Sequence, residues 1–350
     1  VTCRVNKHEK GKSIVGDRST VRGISALTGT SVEIAVSGGV IQEVRELSQI
    51  DSGLPYVSPG FIDIQVNGYA GVDYSSKGLK ADGVRSVIHK LAAAGTTTHV
   101  PTIITSPQKT ILHSIEVIAS VIDDASEESG IAGIHVEGPF ISPEDGPRGA
   151  HDAQYVRDVS VTEYEEWQSV ADGRVLIVTL APERPGALSF IERLAKDGVV
   201  AAIGHTDAPP EVIDEAVTAG ARLATHLGNG SRPTMHRSRN HIWQQLANDG
   251  LCASIIADGF HLPPALLRVF GRAKGADRVI LVSDVGALAG SPPGIYRWGT
   301  ARIRVHEDGH LQLDGTEFLA GAGHLLNRCV AQYVQHGAGS LADSIRACTT

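Results

Sequence analysis

From residue 61 onward, short apolar runs alternate with longer amphipathic stretches. The runs cover residues 61–66, 98–104, 133–137, 175–180, 199–203, 223–226, 253–257 and 279–283, eight in all. Runs this short, with no polar face, predict strands of a parallel sheet covered on both sides. Between them, residues 81–94, 111–122, 187–196 and 211–219 carry apolar side chains three and four apart, the spacing of a helix with one buried stripe. Gly95 and Gly220 stand where a helix C-terminus favours glycine. Eight strands alternating with helices predict parallel pairing through right-handed crossovers and closure into a (β/α)8 barrel of the TIM type. The main rival is a doubly wound open sheet, which carries a glycine-rich phosphate turn after its first strand. Here the first run leads into Val66-Asn67-Gly68-Tyr69-Ala70-Gly71, which does not fit that turn.

The two ends follow another rhythm. Residues 31–36 and 40–44 alternate between glycines, as small antiparallel strands do. After the eighth run, residues 299–305 and 310–314 flank His306-Glu307-Asp308-Gly309, whose Asp-Gly pair signals a hairpin. These stretches predict a small discontinuous β-sandwich domain, residues 1–58 and 286–318, beside a barrel of residues 59–285 and 319–350. Residues 321–334 have helical spacing and return the chain to the barrel.

Polar signatures stand at the ends of five runs: His135-Val136-Glu137, Gly204-His205, Thr225-His226, Gly259-Phe260-His261 and Val282-Ser283-Asp284. Carboxylates and imidazoles at the carboxyl ends of several parallel strands converge on one mouth, where barrel enzymes keep their chemistry. A catalytic zinc takes three ligands from His, Asp and Glu and leaves a position for water. Glu137, His205 and His226 meet that count from three strand ends. A lone histidine there would more simply bond a backbone carbonyl. Three ligand-type residues together with Asp284 on the eighth strand favour a metal. Asp284 can cap a turn, or it can take a proton from an activated water and pass it to a leaving amine.

Composition narrows the function without naming it. The formal charge of −8 leaves no electrostatic footprint for nucleic acid, although a local basic pocket could still take a small anion. The four cysteines, Cys3, Cys252, Cys329 and Cys348, are scattered, which argues against a disulfide framework and against a thiolate zinc site. Residues 1–13 lack the apolar stretch of a signal peptide, and no window is long enough to span a bilayer, so the expected location is the cytoplasm.

Seven segments taken in order carry a resemblance: Pro59-Gly60-Phe61-Ile62-Asp63, Gly95-Thr96-Thr97-Thr98, His135-Val136-Glu137-Gly138-Pro139-Phe140, Gly204-His205-Thr206, Thr225-His226-Leu227, Ala257-Asp258-Gly259-Phe260-His261 and Leu281-Val282-Ser283-Asp284. From about residue 59 to residue 321 the chain resembles the amidohydrolase superfamily, and within it the N-acetylglucosamine-6-phosphate deacetylases. The resemblance implies one divalent metal on Glu137, His205 and His226, zinc first, with iron, cobalt or manganese as alternatives. It implies that Asp284 is the general base and acid and that His151 helps polarise the acetyl carbonyl. Many amidohydrolases hold a second metal on a His-x-His pair in the first strand. This chain has Gln65-Val66-Asn67 there, and amides ligate transition metals poorly.

Gln65, Asn67, Asn229, Gly230, Arg237 and His261 fall where the resemblance places contacts to a phosphorylated amino sugar. It has Arg237 reach the phosphate of a neighbouring subunit in a homodimer. The plainer reading leaves Arg237 solvated in a polar loop with Arg232 and Arg239. The chain departs from the family in this loop, with Leu227-Gly228-Asn229-Gly230-Ser231 and Arg237-Ser238-Arg239-Asn240 where Asn-Ala-Met and Arg-Glu-Pro-Gly are usual. The expected reaction is therefore deacetylation of a 6-phosphorylated N-acetylhexosamine. The rivals are an amidohydrolase acting on a cyclic amide or an unphosphorylated N-acyl substrate, and a barrel used only for binding. The sequence ends at Thr350, in the final helical region and before strands that the resemblance assigns to the small domain.

Overall fold

The computed structural model describes residues 18–49, 51–124, 130–298 and 301–349. Cys3, the polar stretch 1–13, the start of the expected strand at 299 and Thr350 lie outside the described residues. Eight parallel strands form the central sheet: Phe61–Val66, Thr96–Ile104, Ile134–Glu137, Val175–Leu180, Val200–Ile203, Leu223–Ala224, Cys252–Ile256 and Val279–Val282. They are hydrogen-bonded in sequence order. The eighth meets the first through a bridge between Val66 and Val285, with the Asp284 N–H donating to the Gln65 carbonyl at 3.0 Å. The barrel expected from the run pattern is thereby closed, with helices outside it.

Helix Ala187–Lys196 shows why the amphipathic stretches fold as they do. Its buried residues are Ala187, Phe190, Ile191 and Leu194, the three-and-four spacing of one face, and each large one stabilises the fold by about 1.5–3 kcal/mol. Phe190 and Trp167 both pack on Phe140, at ring-centroid separations of 5.7 and 5.4 Å. Helix Val161–Ala171 starts where the Ser160 hydroxyl accepts from the Glu163 N–H. Two expected elements lose more than one residue at one end. The sixth strand ends at Ala224 because His226 turns left-handed, with φ 31°. The last helix begins only at Leu326, because the Ala322 N–H donates to the Asp284 carbonyl and extends the eighth strand's pairing.

The end segments form two separate antiparallel-based sheets. Arg18–Ser25, Ser31–Ser37 and Val40–Glu46 pair antiparallel, and Tyr56–Val57 runs parallel to the first of them. Gly294–Trp298, Ala301–Val305 and Leu311–Leu313 make the other, around buried Ile303, Val305 and Leu311. The Gly286 N–H donates to the Ala322 carbonyl at 2.9 Å, which ties the approach to this second sheet onto the barrel mouth. No helix among the described residues is long and apolar enough to cross a membrane.

Asp63 helps close the barrel at a cost. Its Oδ1 accepts from the backbone N–H groups of Gln65 at 3.3 Å and Ser283 at 3.2 Å, while buried Oδ2 has no partner among the described residues. Burial pushes its pKa up to about 7. The folded state then holds this proton more tightly than the unfolded chain does. Stability from Asp63 is present at low pH and is lost as pH rises through the folded value. Chelator-treated protein is expected to lose roughly 2–3 kcal/mol between about pH 5 and about pH 7 that an Asp63→Asn variant keeps. Urea unfolding across that window checks this, and equal pH slopes in the two proteins would refute it.

Candidate active site and metal centre

Inward-facing residues of a strand recur every second position, so His135 and Glu137 point into the same interior. His135 sits deeper, its Nε2 2.8 Å from Thr179 Oγ1, and burial lowers its pKa to about 4, which keeps it neutral and structural. Glu137 ends the third strand, and its Oε1 lies 3.1 Å from His205 Nε2 and 2.9 Å from His226 Nε2. The two imidazole nitrogens are 3.0 Å apart. All three residues are buried, and their ligand atoms lie within 4.8 Å of one another.

Backbone strain and packing hold this arrangement. His205, His226 and Asp284 adopt φ of 51°, 31° and 51°, and left-handed backbone at a non-glycine residue costs on the order of 1–3 kcal/mol. Strand-to-loop reversals at these three positions turn the side chains into the mouth. The His205 ring is wedged between two glycines. A Cβ at Gly230 would stand 2.8 Å from its Nδ1, and one at Gly149 would stand 3.3 Å from its Cε1.

The ring nitrogens show whether a cation fits. His205 Nδ1 is 2.8 Å from the Pro147 carbonyl, an acceptor only. The proton therefore sits on Nδ1, and Nε2 presents its lone pair to Glu137 and His226. A lone pair, a second imidazole and a carboxylate aimed at one point repel one another unless a proton or a cation lies between them. Burial alone would raise the Glu137 pKa, but the two imidazoles facing it, His205 and His226, outweigh burial and hold the carboxyl well below its usual range. The donor set and its outer hydrogen bond match those of metal-binding histidines.

Other predicted site residues converge on the same place. Gln65 Nε2 donates to Glu137 Oε1 at 3.0 Å, and Asn67 Nδ2 donates to Asp284 Oδ1 at 2.7 Å. His151 has Nδ1 2.7 Å from Thr105 Oγ1 and Nε2 3.2 Å from His205 Nε2. Burial, then the neighbouring His205, pushes the His151 pKa well down, so its ring is neutral. Burial, then the negative charge of Glu137, raises Asp284 to about 6.

A cavity of about 730 Å³ opens over these groups. Asn67, Glu137, His151, His205, His226, Asn229, Gly230, His261 and Asp284 all line it, whereas Arg237 does not. The Arg237 carbonyl accepts from Trp243 Nε1 at 3.0 Å, in the loop beyond the cavity. Four contributors carried no readable signal in the sequence. The Pro147 carbonyl and the Thr105 hydroxyl orient histidines, and a threonine or a carbonyl in a loop looks like any other. Trp298 and Leu313 of the second small sheet form an apolar side of the cavity, and only folding brings them there.

Comparison with known proteins agrees with the geometry. The profile of the amidohydrolase family matches residues 56–291. An N-acetylglucosamine-6-phosphate deacetylase from Danio rerio is 35% identical over 301 residues, 81% of this chain and 71% of the relative. One from Bacillus subtilis (strain 168) is 35% identical over 269 residues, and the match spans 66% of its length. The structure is similar, with a TM-score of 0.84 and 28% identity, to an aspartate-to-alanine mutant of N-acetyl-D-glucosamine-6-phosphate deacetylase from Mycobacterium smegmatis, in complex with N-acetyl-D-glucosamine-6-phosphate. That similarity covers 95% of this chain and 88% of the other. The chain belongs to the amidohydrolase family, among relatives that are N-acetylglucosamine-6-phosphate deacetylases.

Proposed function

We propose that this chain hydrolyses the acetamide of N-acetylglucosamine-6-phosphate to acetate and glucosamine-6-phosphate. The observation that carries this reading is one cavity holding the Glu137–His205–His226 group and a separately anchored Asp284, on a chain related to enzymes of that name. Glu137, His205 and His226 would hold one divalent cation, zinc first and iron, cobalt or manganese otherwise. Bound there, such a cation supplies Lewis acidity, acidifying water and polarising the amide carbonyl.

The protein's own groups do the rest. Neutral His151, oriented by Thr105, donates a hydrogen bond to the acetyl oxygen as negative charge develops on it. Asp284, held by Asn67, takes a proton from the attacking water and returns it to the sugar nitrogen, so that an amine rather than an amide anion leaves. Gln65 keeps Glu137 oriented, while Asn67, Asn229, Gly230 and His261 line the space for the sugar phosphate. Arg237, outside its own chain's cavity, fits a role across a homodimer interface, where a guanidinium grips phosphate bidentately.

Amine release from N-acetylglucosamine-6-phosphate and from plain N-acetylglucosamine, each with zinc and with chelator, tests the proposal. The expected result is metal-dependent turnover of the phosphorylated sugar in clear preference. Equal turnover of both would leave a deacetylase without phosphate recognition. No turnover of either would overturn the substrate and point to other N-acyl compounds.

A further inference from the structure

The cavity has two unlike sides. The loops after the third and sixth strands give it polar residues, among them Arg148, Asn229 and Ser231. Those two loops pack on each other, since a Cβ at Gly146 would stand 3.2 Å from the Ser231 carbonyl oxygen. The segment after the eighth strand instead gives the cavity Leu288, Trp298, Ile303, Leu311, Leu313 and Phe318. Among the described residues, Glu317 is the one charged member of that segment on the cavity. The eight strands follow one another in sequence order, so the eighth lies across the barrel from the fourth. The apolar side therefore faces the polar one, with the metal group and Asp284 between them.

The apolar side is held in place. Trp298 Nε1 donates to Asp73 Oδ2 at 2.9 Å, and Asp73 Oδ1 accepts from the Ser75 N–H at 2.8 Å, which pins the indole to the segment after the first strand. The Leu313 N–H donates to the Phe318 carbonyl at 2.9 Å, and the Ala320 N–H to the Leu311 carbonyl at 3.1 Å. The Ala322 N–H then donates to the Asp284 carbonyl at 3.0 Å and joins this wall to the proposed base. At the rim, Phe318 remains 59% exposed.

N-acetylglucosamine-6-phosphate carries one sizeable apolar group, the acetyl methyl. One methyl cannot cover six apolar residues, and a cavity of about 730 Å³ holds more than a hexosamine phosphate. A secondary amide is planar and trans, so the acyl chain leaves the carbonyl carbon on the side away from the sugar. With the sugar against the polar loops and the carbonyl oxygen at His151, the acyl chain points at the apolar side. We propose that this side is an acyl-chain site, and that the chain also removes linear N-acyl groups of about three to six carbons from hexosamine 6-phosphates. The proposal rests on the deacetylase reading for the sugar end of the substrate. The step is the same hydrolysis. The amide C–N bond breaks, the water oxygen adds to the acyl carbon, and the sugar nitrogen takes the water's proton through Asp284. A longer carboxylate replaces acetate, and water is the only co-reactant.

Turnover of N-propionyl-, N-butyryl- and N-hexanoyl-glucosamine-6-phosphate beside the acetyl compound, in zinc-loaded protein, tests it. KM is expected to fall about two- to fourfold per added methylene with kcat little changed. In Leu313→Trp, which fills the site, the ratio of butyryl to acetyl kcat/KM should drop about tenfold or more. Calorimetric binding of the carboxylates alone needs no turnover: hexanoate should bind zinc-loaded protein about tenfold or more tighter than acetate, and Leu313→Trp should erase the difference. The wild-type comparisons decide the matter even where the variant does not fold.

A fall in kcat/KM of about tenfold or more from acetyl to propionyl would overturn the proposal. So would hexanoate that binds no tighter than acetate. Tighter hexanoate binding without turnover of any acyl sugar would support the acyl site and sink the deacetylase reading alone.

Discussion

An Asp284→Asn variant is expected to keep its metal and lose turnover by roughly 10²–10⁴-fold, the range that a positioned acid–base group supplies. The substitution is a mild one for the fold. Asn67 Nδ2 donates to Asp284 Oδ1 at 2.7 Å, and an amide oxygen accepts the same bond. The left-handed φ of 51° at this position is also one that asparagine tolerates among non-glycine residues. What disappears is the ability to take a proton. The pH profile sharpens the prediction. Burial and the charge of Glu137 raise Asp284 to about 6, and a cation on Glu137 opposes the second cause and draws the value down. The base must be ionised to act, so wild-type kcat/KM should fall tenfold per pH unit on an acid limb below about 6. The residual activity of the variant should lack that limb. Near-normal turnover with metal still bound would remove Asp284 from the proposed role.

Glu137→Gln should act one step earlier, on the metal itself. Glu137 Oε1 is shared by Gln65, His205 and His226, and glutamine keeps the shape while losing the charge and the ligand strength. Even changes to outer partners of metal ligands weaken affinity about 10–100-fold, so loss of a direct anionic ligand is expected to exceed about 100-fold. Binding to the native state alone adds about 4 kcal/mol of stability at a thousandfold excess over Kd. Wild-type protein should therefore melt several degrees higher with zinc than with chelator, and in Glu137→Gln that gap should close at the same zinc concentration. Competition with a chromophoric chelator measures the affinity directly. A variant that binds zinc as tightly as wild type would show that the three residues are a buried hydrogen-bond cluster and not a ligand set.

The two variants separate the parts of the site. Asp284→Asn leaves metal affinity and the zinc-dependent melting shift in place and removes chemistry. Glu137→Gln removes both.

Most of the barrel was readable because its rules are local. A strand covered on both faces must be apolar along its length, and a surface helix must bury one stripe, so the runs at 175–180 and 187–196 match the observed strand and helix residue for residue. Glu137, His205, His226 and Asp284 stood out because costly polar groups sat at the ends of such runs. Boundaries failed where a long-range bond outranked local preference, as at residues 321–325, whose helical spacing yields to pairing with the eighth strand.

The chain by itself determined which residues face inward and which ligand types stand at the mouth, since both follow from period and side-chain chemistry along a strand. Only the tertiary structure decided that Pro147 sets the tautomer of His205, that Gly149 and Gly230 wedge its ring, that Asp258 backs His261, and that Trp298 and Leu313 close one side of the cavity. The Pro147, Gly149 and Gly230 contacts join loops, which obey no periodicity; Trp298 and Leu313 come from strands of a sheet whose place over the mouth no local pattern sets; and Asp258 and His261 share one turn. Even that pair could not be read as a contact, because a residue three positions away meets its neighbour only when the turn between them is formed.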